Sequence, residues 1–383
     1  MIYFDNSATT KIDPDVLATY DKVATSVWGN PSSLHGIGDR AAQLLEASRR
    51  QIAALLKVQP HEIFFTSGGT ESDNWAIKGT AIAKREFGRH IITSSVEHAA
   101  VANSIQALKR LGYRITVLPV DHQGRVNPDD LKHAIDSDTI LVSIMGVNNE
   151  IGSIQPIERI SDILSNYPTI HFHVDNVQAV GKGVWSKVFT PRVDLTSFSA
   201  HKFHAPRGIG LLYKKSGRSL APLHDGGGQE KGLRSGTENL PAIAGMAKAL
   251  RLELDNESQN VKRQAEIKAK IVSYLQGKPG ITLFSPVSSL FAPHILCFAL
   301  EGIRGETLVH TLEEKEIYVS TTSACASQRE TVSGTLSAMH VSDDVATGAI
   351  RLSFDENNTL EEADHFIEVF DKIYRHFAQI NHF

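Results

Sequence analysis

His173-Val174-Asp175-Asn176-Val177-Gln178 and Ser199-Ala200-His201-Lys202 are the two stretches on which the fold of this chain turns. Each closes a run of β-forming residues, 170–175 and 193–199, of the kind found in the buried strands of a parallel sheet. The carboxyl ends of these strands carry a carboxylate, Asp175, and, just beyond the second, an amine, Lys202. Pyridoxal phosphate (PLP) needs that pair: a lysine for its Schiff base and an acid that keeps its pyridine nitrogen protonated. An unpaired carboxylate at the end of a buried strand is costly, and a pyridinium N–H would relieve the cost. Gln178 is spaced to donate to the ring's phenolic oxygen. Other readings of the same residues stand beside this one. Asp175 also suits a surface cap on the next helix. His171, His173 and Asp175 alternate on one strand face, as the ligands of a metal-dependent hydrolase would. A lone lysine is usually a solvated surface group, so Lys202 owes its candidacy to its place at a strand end between Ser199 and His201.

Outward from these two strands, further β-rich runs fall at 62–65, 90–93, 114–118, 139–144 and 208–213. Helical patterns at 40–56, 70–84, 99–111 and 156–165 separate most of them. Repeated strand–helix units predict an α/β fold, a mostly parallel seven-stranded sheet with helices on both faces. The runs 193–199 and 208–213 are joined without room for a helix, so one strand is expected to be antiparallel. A long helical stretch from Pro241 to Leu275 reads as a bridge. Beyond it, strand patterns at 294–300 and 349–354 alternate with helical ones at 306–314 and 360–376, a smaller α+β unit. Open sheets of this kind bind ligands beyond the carboxyl ends of their strands.

Thr66-Ser67-Gly68-Gly69-Thr70-Glu71-Ser72 lies at one such end. Its glycines let the backbone turn sharply and leave amide donors, Gly69 and Thr70 among them, open at a helix start that suits a phosphate. The plainer reading is a capped helix, with Thr70 as N-cap and Asp73 three residues on. The motif is neither a nucleotide P-loop nor Gly-x-Gly-x-x-Gly, which weighs against nucleotide binding. Ser199 and His201 offer a hydroxyl and an imidazole to the same phosphate. His98, in Ser94-Ser95-Val96-Glu97-His98, is placed to stack on a flat cofactor and move protons near neutral pH, or simply to start a helix.

The remaining chemistry-bearing residues are a cysteine and an arginine. Cys325 lies in Thr321-Thr322-Ser323-Ala324-Cys325-Ala326-Ser327-Gln328, a small, polar run without apolar periodicity, whereas Cys297 lies in the apolar Ile295–Leu300 and reads as core. Cys325 is therefore the candidate nucleophile, in an exposed loop and acting as a thiolate. Arg351 alternates with Ile350, Leu352 and Phe354. It reads either as a bidentate clamp for a carboxylate or as a solvated strand arginine.

With 383 residues the chain has room for a large domain and a smaller one, and 41% hydrophobic and 21% charged residues are those of a globular protein. A net charge of -4 gives no electrostatic footprint for nucleic acid or an anionic membrane. Met1-Ile2-Tyr3-Phe4-Asp5 lacks the basic and apolar regions of a signal peptide, and no apolar run approaches a membrane span. Two cysteines form no disulfide framework, so a cytoplasmic location is expected.

Taken together, the motifs resemble the class V, fold-type I PLP-dependent enzymes, and within them the cysteine desulfurases of the NifS/IscS type. The likeness is carried by Asp5-Asn6-Ser7-Ala8-Thr9-Thr10, Gly29-Asn30-Pro31-Ser32-Ser33-Leu34-His35, Thr66 to Glu71, Asn148-Asn149-Glu150-Ile151-Gly152 and His173 to Gln178. It continues through Ser199 to Phe203, Arg234-Ser235-Gly236-Thr237-Glu238-Asn239, Ser323-Ala324-Cys325 and Arg351-Leu352-Ser353. The resemblance implies that Lys202 carries the cofactor and Asp175 pairs with the pyridine nitrogen. Gln178 would contact the phenolic oxygen and His98 stack on the ring. Thr70, Ser199 and His201 would hold the phosphate with Thr237 from the second subunit of a homodimer. Asn149 would lie beside cofactor and substrate, and Arg351 would anchor the substrate carboxylate. It implies a large domain over residues 15–255 and a small one made of 1–14 plus 256–383. The implied reaction takes sulfur from L-cysteine onto Cys325, leaving a persulfide and L-alanine. The persulfide would pass to an acceptor protein in tRNA thiolation, thiamine synthesis or iron–sulfur cluster assembly. Selenocysteine lyase and aminotransferase activity are the neighbouring class V alternatives. The chain departs from the family pattern at Thr322, where a glycine is usual, and at His204-Ala205-Pro206-Arg207, where Tyr/His-Gly-Pro-Lys is usual. It also lacks the family's common Leu-Glu-Pro pattern after Cys325 and ends soon after His376.

Overall fold

The computed structural model of the chain describes residues 1–322 and 333–381. Among the described residues, seven strands form one sheet in the spatial order Ile63–Thr66, Gly210–Lys214, Leu195–Ser199, His171–Asp175, Thr139–Ser143, His90–Ser94, Arg114–Leu118. Only Gly210–Lys214 runs against its neighbours, as the short link before it requires. That link spans residues 200–209, too short for a crossover helix, so the chain turns back through a single 3₁₀ turn, Ala200–Lys202, and a loop. The central strands are buried at every position, so both faces of the sheet must be covered by helices.

The helices do this with one apolar face each. Gly36–Leu56 buries Ala41, Leu45, Ile52 and Leu56, spaced by four, seven and four, against the sheet and against Leu240–Asp255. Ile157–Leu164 buries Ile157, Ile160 and Leu164 on the other side. The stretch expected as one helix from Pro241 to Leu275 is two, Leu240–Asp255 and Glu257–Leu275, with Asn256 capping the first. The break falls where the chain changes cores. Leu240, Ile243, Met246 and Leu250 pack on the seven-stranded sheet, whereas Ile267, Ile271 and Leu275 pack with Phe298, Phe366 and Phe370.

That second core is built on an antiparallel sheet in the order Ser320–Thr321, Ala349–Ser353, Ile295–Leu300, Ile281–Leu283. The N-terminal strip joins it: Ile2–Tyr3 pairs in parallel with Ile317–Tyr318, and Phe4 stacks edge-on against Phe354. Cys297 lies in this sheet with no exposed surface, and burial pushes its thiol well above the ordinary range, as suits an inert core residue. No helix among the described residues is long and apolar enough to cross a membrane.

Candidate active site

The parallel strands deliver their carboxyl ends to one side, and the loops there enclose a cavity of about 200 Å³. It is lined from the glycine loop by Gly69, Thr70 and Asp73, and from the loop after His90–Ser94 by His98. Met145, Val147 and Asn149 follow Thr139–Ser143. Asp175, Val177 and Gln178 follow His171–Asp175, and Ser199, His201 and Lys202 close the list with Ser7. The chain crosses from one half of the sheet to the other here, where ligands of open α/β sheets sit.

Lys202 is placed by the turn Ala200–Lys202. Its Nζ donates to the carbonyls of Ser7 at 2.6 Å and Ala8 at 2.8 Å, so the N-terminal strip orients the amine. Ser7 also accepts from Gln178 Nε2 at 3.0 Å, which ties both expected cofactor contacts to one backbone carbonyl. Asp175 is buried, and its Oδ1 accepts the Val177 amide at 3.0 Å. Burial, and the nearby Asp73 carboxyl, push Asp175 up to about 6, against a smaller opposing pull from His98. Burial also raises Asp73 to about 7 and Glu97 to about 8. Three carboxyls raised together mark a place where negative charge lacks compensation, and a cationic ring would supply it.

The glycine loop works by close approach. Gly68 has φ +153, and a Cβ on Gly210 would come within 2.4 Å of the Phe198 carbonyl and 2.6 Å of Gly68 Cα. A Cβ on Gly69 would meet Val177 at 2.9 Å. The loop thus rests directly on the strand ends. Thr70 is the second residue of the helix Gly69–Asn74 and not its N-cap, because Gly68 takes that place. The helix continues through a π segment, Trp75–Gly79, to Ala83; such segments recur at functional sites. His201 shares a hydrogen bond with Thr9 Oγ1 at 3.1 Å. Burial, Lys202 and Arg207 push it down to about 4, so it is neutral at pH 7. His98 lines the cavity, and it also starts a helix, its Nδ1 capping Ala99–Arg110 by accepting from Ala100 N at 3.2 Å.

Two expected residues, Arg351 and Thr237, are not among the residues that line the cavity, and a third, Cys325, is outside the described residues. Arg351 is 2% exposed and not a solvated strand arginine. Its Nη2 is tied to Asp5 at 2.8 Å, its Nη1 donates to the Asn149 carbonyl at 2.9 Å, and its Nε has no hydrogen-bond partner among the described residues. Thr237 is exposed in the loop before Leu240–Asp255. The flanks of the Cys325 segment are placed, however: Ser320 pairs with Arg351, and Ser333 Oγ donates to Glu150.

The metal-ligand reading of His171, His173 and Asp175 does not survive. His173 spends both ring nitrogens on hydroxyls, Ser143 at 2.8 Å and Ser197 at 2.9 Å, and His171 meets Thr80 at 3.2 Å. Burial lowers His173 to about 4 and His171 to about 3, so both rings are neutral, His173 bridging two neighbouring strands and His171 tying its strand to the helix Thr80–Ala83. Sequence reasoning missed Ser7, Asp73 and Glu97. Asp73 carries a signal in the sequence, since it follows the glycine loop, but its spacing from Thr70 points equally to a helix cap. In fact it is buried, and its Oδ1 has no hydrogen-bond partner.

The cavity therefore fits PLP: an amine at one wall, a buried carboxyl at another, and backbone amides with Thr70, Ser199 and His201 between them. The comparisons agree. The Aminotransferase class-V family model matches residues 2–366. A "NifS/IcsS protein homolog" of Lactobacillus delbrueckii subsp. bulgaricus is 70% identical, over 100% of this chain and 99% of its own. "Cysteine desulfurase IscS" of Clostridium botulinum is 41% identical over 97% of this chain and 94% of its own. A solved structure titled "NIFS-LIKE PROTEIN" superposes with a TM-score of 0.90 at 40% identity, covering 97% of this chain and 98% of that one. This chain belongs to the class-V aminotransferase family of PLP-dependent enzymes.

Proposed function

We propose that the chain is a cysteine desulfurase that converts L-cysteine to L-alanine and leaves the sulfur as a persulfide on Cys325. The observation that carries it is the convergence of Lys202 and Asp175 on one cavity in a chain similar throughout its length to proteins named cysteine desulfurase. When bound, PLP supplies an electron sink for bonds at the substrate's α-carbon. Lys202 holds the cofactor, Asp175 keeps the ring nitrogen protonated, and Gln178 contacts the phenolic oxygen. His98 covers the ring, while Gly69, Thr70, Ser199 and His201 hold the phosphate. Arg351 takes the substrate carboxylate beside Asn149, exchanging Asp5 for it. The Cys325 thiolate bonds to the substrate sulfur, the sulfur's bond to the β-carbon breaks, and a proton completes alanine. The flanks of the Cys325 segment, held beside Arg351 and Glu150, support this reach.

Cys325→Ala is expected to retain the cofactor's visible absorbance and lose sulfide release from cysteine by at least about 10³-fold. With ³⁵S-cysteine, wild type becomes labelled and passes label to an acceptor in tRNA thiolation, thiamine synthesis or iron–sulfur assembly; the variant does neither. Undiminished sulfide release by Cys325→Ala would remove the persulfide from the mechanism.

A homodimer completes the reading. Trp28 is 71% and Leu34 100% exposed beside the Gly29 to His35 motif, apolar surface of the kind an interface covers. The second chain would then lend Thr237 to the phosphate. Sedimentation should give twice 41.9 kDa, with Leu34→Glu shifting the protein toward monomer. A wild-type monomer at micromolar concentration contradicts this.

A further inference from the structure

A second cluster of ligand-type side chains lies away from the Lys202 cavity, where the two cores meet. His204, Glu253 and Glu356 each bring one potential ligand atom to within 4.8 Å of the others. They come from separate places: the turn after Lys202, the helix Leu240–Asp255, and the loop after Ala349–Ser353.

His204 is buried, 4% exposed, and held at φ 62, a conformation that a non-glycine residue adopts at a cost. Its Nδ1 meets the Lys11 carbonyl at 2.9 Å. A carbonyl only accepts, so Nδ1 donates to it, and the tautomer that does so with one ring proton turns its lone pair outward at Nε2. That Nε2 is buried without a hydrogen-bond partner among the described residues, and Asp355 Oδ2 stands 3.9 Å away.

The carboxylates around it are built in. Glu253 is 3% and Asp355 5% exposed. A Cβ on Gly181 would come within 2.1 Å of Glu253 Cγ, so that glycine makes room for the side chain. Lys182 bonds Glu253 Oε1 at 2.7 Å, and Asn260 donates to Glu356 Oε2 at 3.0 Å. The Arg263 guanidinium goes to the Glu356 carbonyl at 2.8 Å. Three carboxyls, Glu253, Glu356 and Asp355, thus gather around the Lys182 ammonium and an imidazole lone pair. Buried negative charge of this kind calls for a further cation. A cavity lined by His204, Asp355 and Glu356 gives that cation a way in.

We propose that His204, Glu253 and Glu356 bind one divalent transition-metal ion per chain, with Asp355 beside them. One imidazole and carboxylate oxygens match the ligand preference of Zn²⁺, whose tetrahedral sites with bonds near 2.1 Å hold ligand atoms about 3.4 Å apart. Binding would draw the ligand atoms, now within 4.8 Å of one another, to that spacing. The ion would tie the turn that carries Lys202 to the smaller sheet.

The test uses the cofactor-loaded Cys325→Ser protein, so that the loop thiol binds nothing, stripped with EDTA and titrated with Zn²⁺ alone. One saturable equivalent per chain and a Tm rise of about 3 °C or more are expected. His204→Asn, which tolerates the left-handed backbone, and separately Glu356→Gln should each weaken binding at least about tenfold with unchanged circular dichroism. No saturable equivalent in the parent, as would follow if a protonated His204 already supplied the charge, overturns the proposal. So does equal binding by parent and both variants.

Discussion

Lys202→Ala protein is expected to purify without the cofactor's visible absorbance and to turn over cysteine at least about 10³-fold more slowly than wild type. The effect is large because Lys202 is the one lysine among the described residues lining the cavity, where the Ser7 and Ala8 carbonyls aim its amine. Lys202→Arg should fare no better. It keeps the charge and the contacts with those carbonyls, but a guanidinium is always protonated and cannot serve as the nucleophile. Spectra and sulfide assays on both variants check this. A coloured, active Lys202→Arg protein would show that the side chain acts only as a positive charge.

Asp175→Asn is expected to lower turnover by about 10²–10³-fold, the scale set by removing one fixed electrostatic partner from a buried reaction centre. Its second effect has the opposite sign. The folded-state value of Asp175 is raised from 3.8 to about 6, so the folded cofactor-free chain binds a proton that the unfolded chain releases across that window. Stability of the cofactor-free protein therefore falls as pH rises from about 4 to 6, and the loss is complete above that. Asparagine carries no charge to bury, so the cofactor-free variant should lose that part of the pH dependence and be at least as stable as wild type at pH 7. The stabilisation that cofactor gives to wild type should shrink in the variant. Urea titrations with and without PLP at pH 4, 6 and 8 measure both. A variant that gains as much from PLP as wild type does would place the ring nitrogen's partner elsewhere, with Asp73 the next candidate.

How much of this was readable from the chain depends on distance along it. The strands and their carboxyl-end loops follow from local apolar runs and glycine turns, and the resemblance to NifS/IscS-type enzymes rests on short contiguous motifs; both agree with the structure and with the comparisons. Helix ends were close, because caps are local. The break at Asn256 was missed because helical periodicity carries through it, while the core that each half packs against changes.

Long-range pairings were beyond reach. Asp5 meets Arg351 across 346 positions, and Ser7 meets Lys202 across 195. No periodicity links such residues. His171 and His173 looked like ligands in one dimension, and only their neighbours, Thr80, Ser143 and Ser197, show that the rings are spent on hydroxyls. The same holds for His204, which reads as a substitution within a motif until Glu253 and Glu356 arrive beside it.

By itself, then, the sequence determined the sheet, the loops at its carboxyl ends and the residue types they carry, because secondary structure and turn chemistry are set by neighbours along the chain. Tertiary structure alone decided which of those residues share a cavity, which carboxyls lack compensation and which histidine keeps a lone pair. Burial and charge balance depend on what the rest of the chain brings to the same few ångströms.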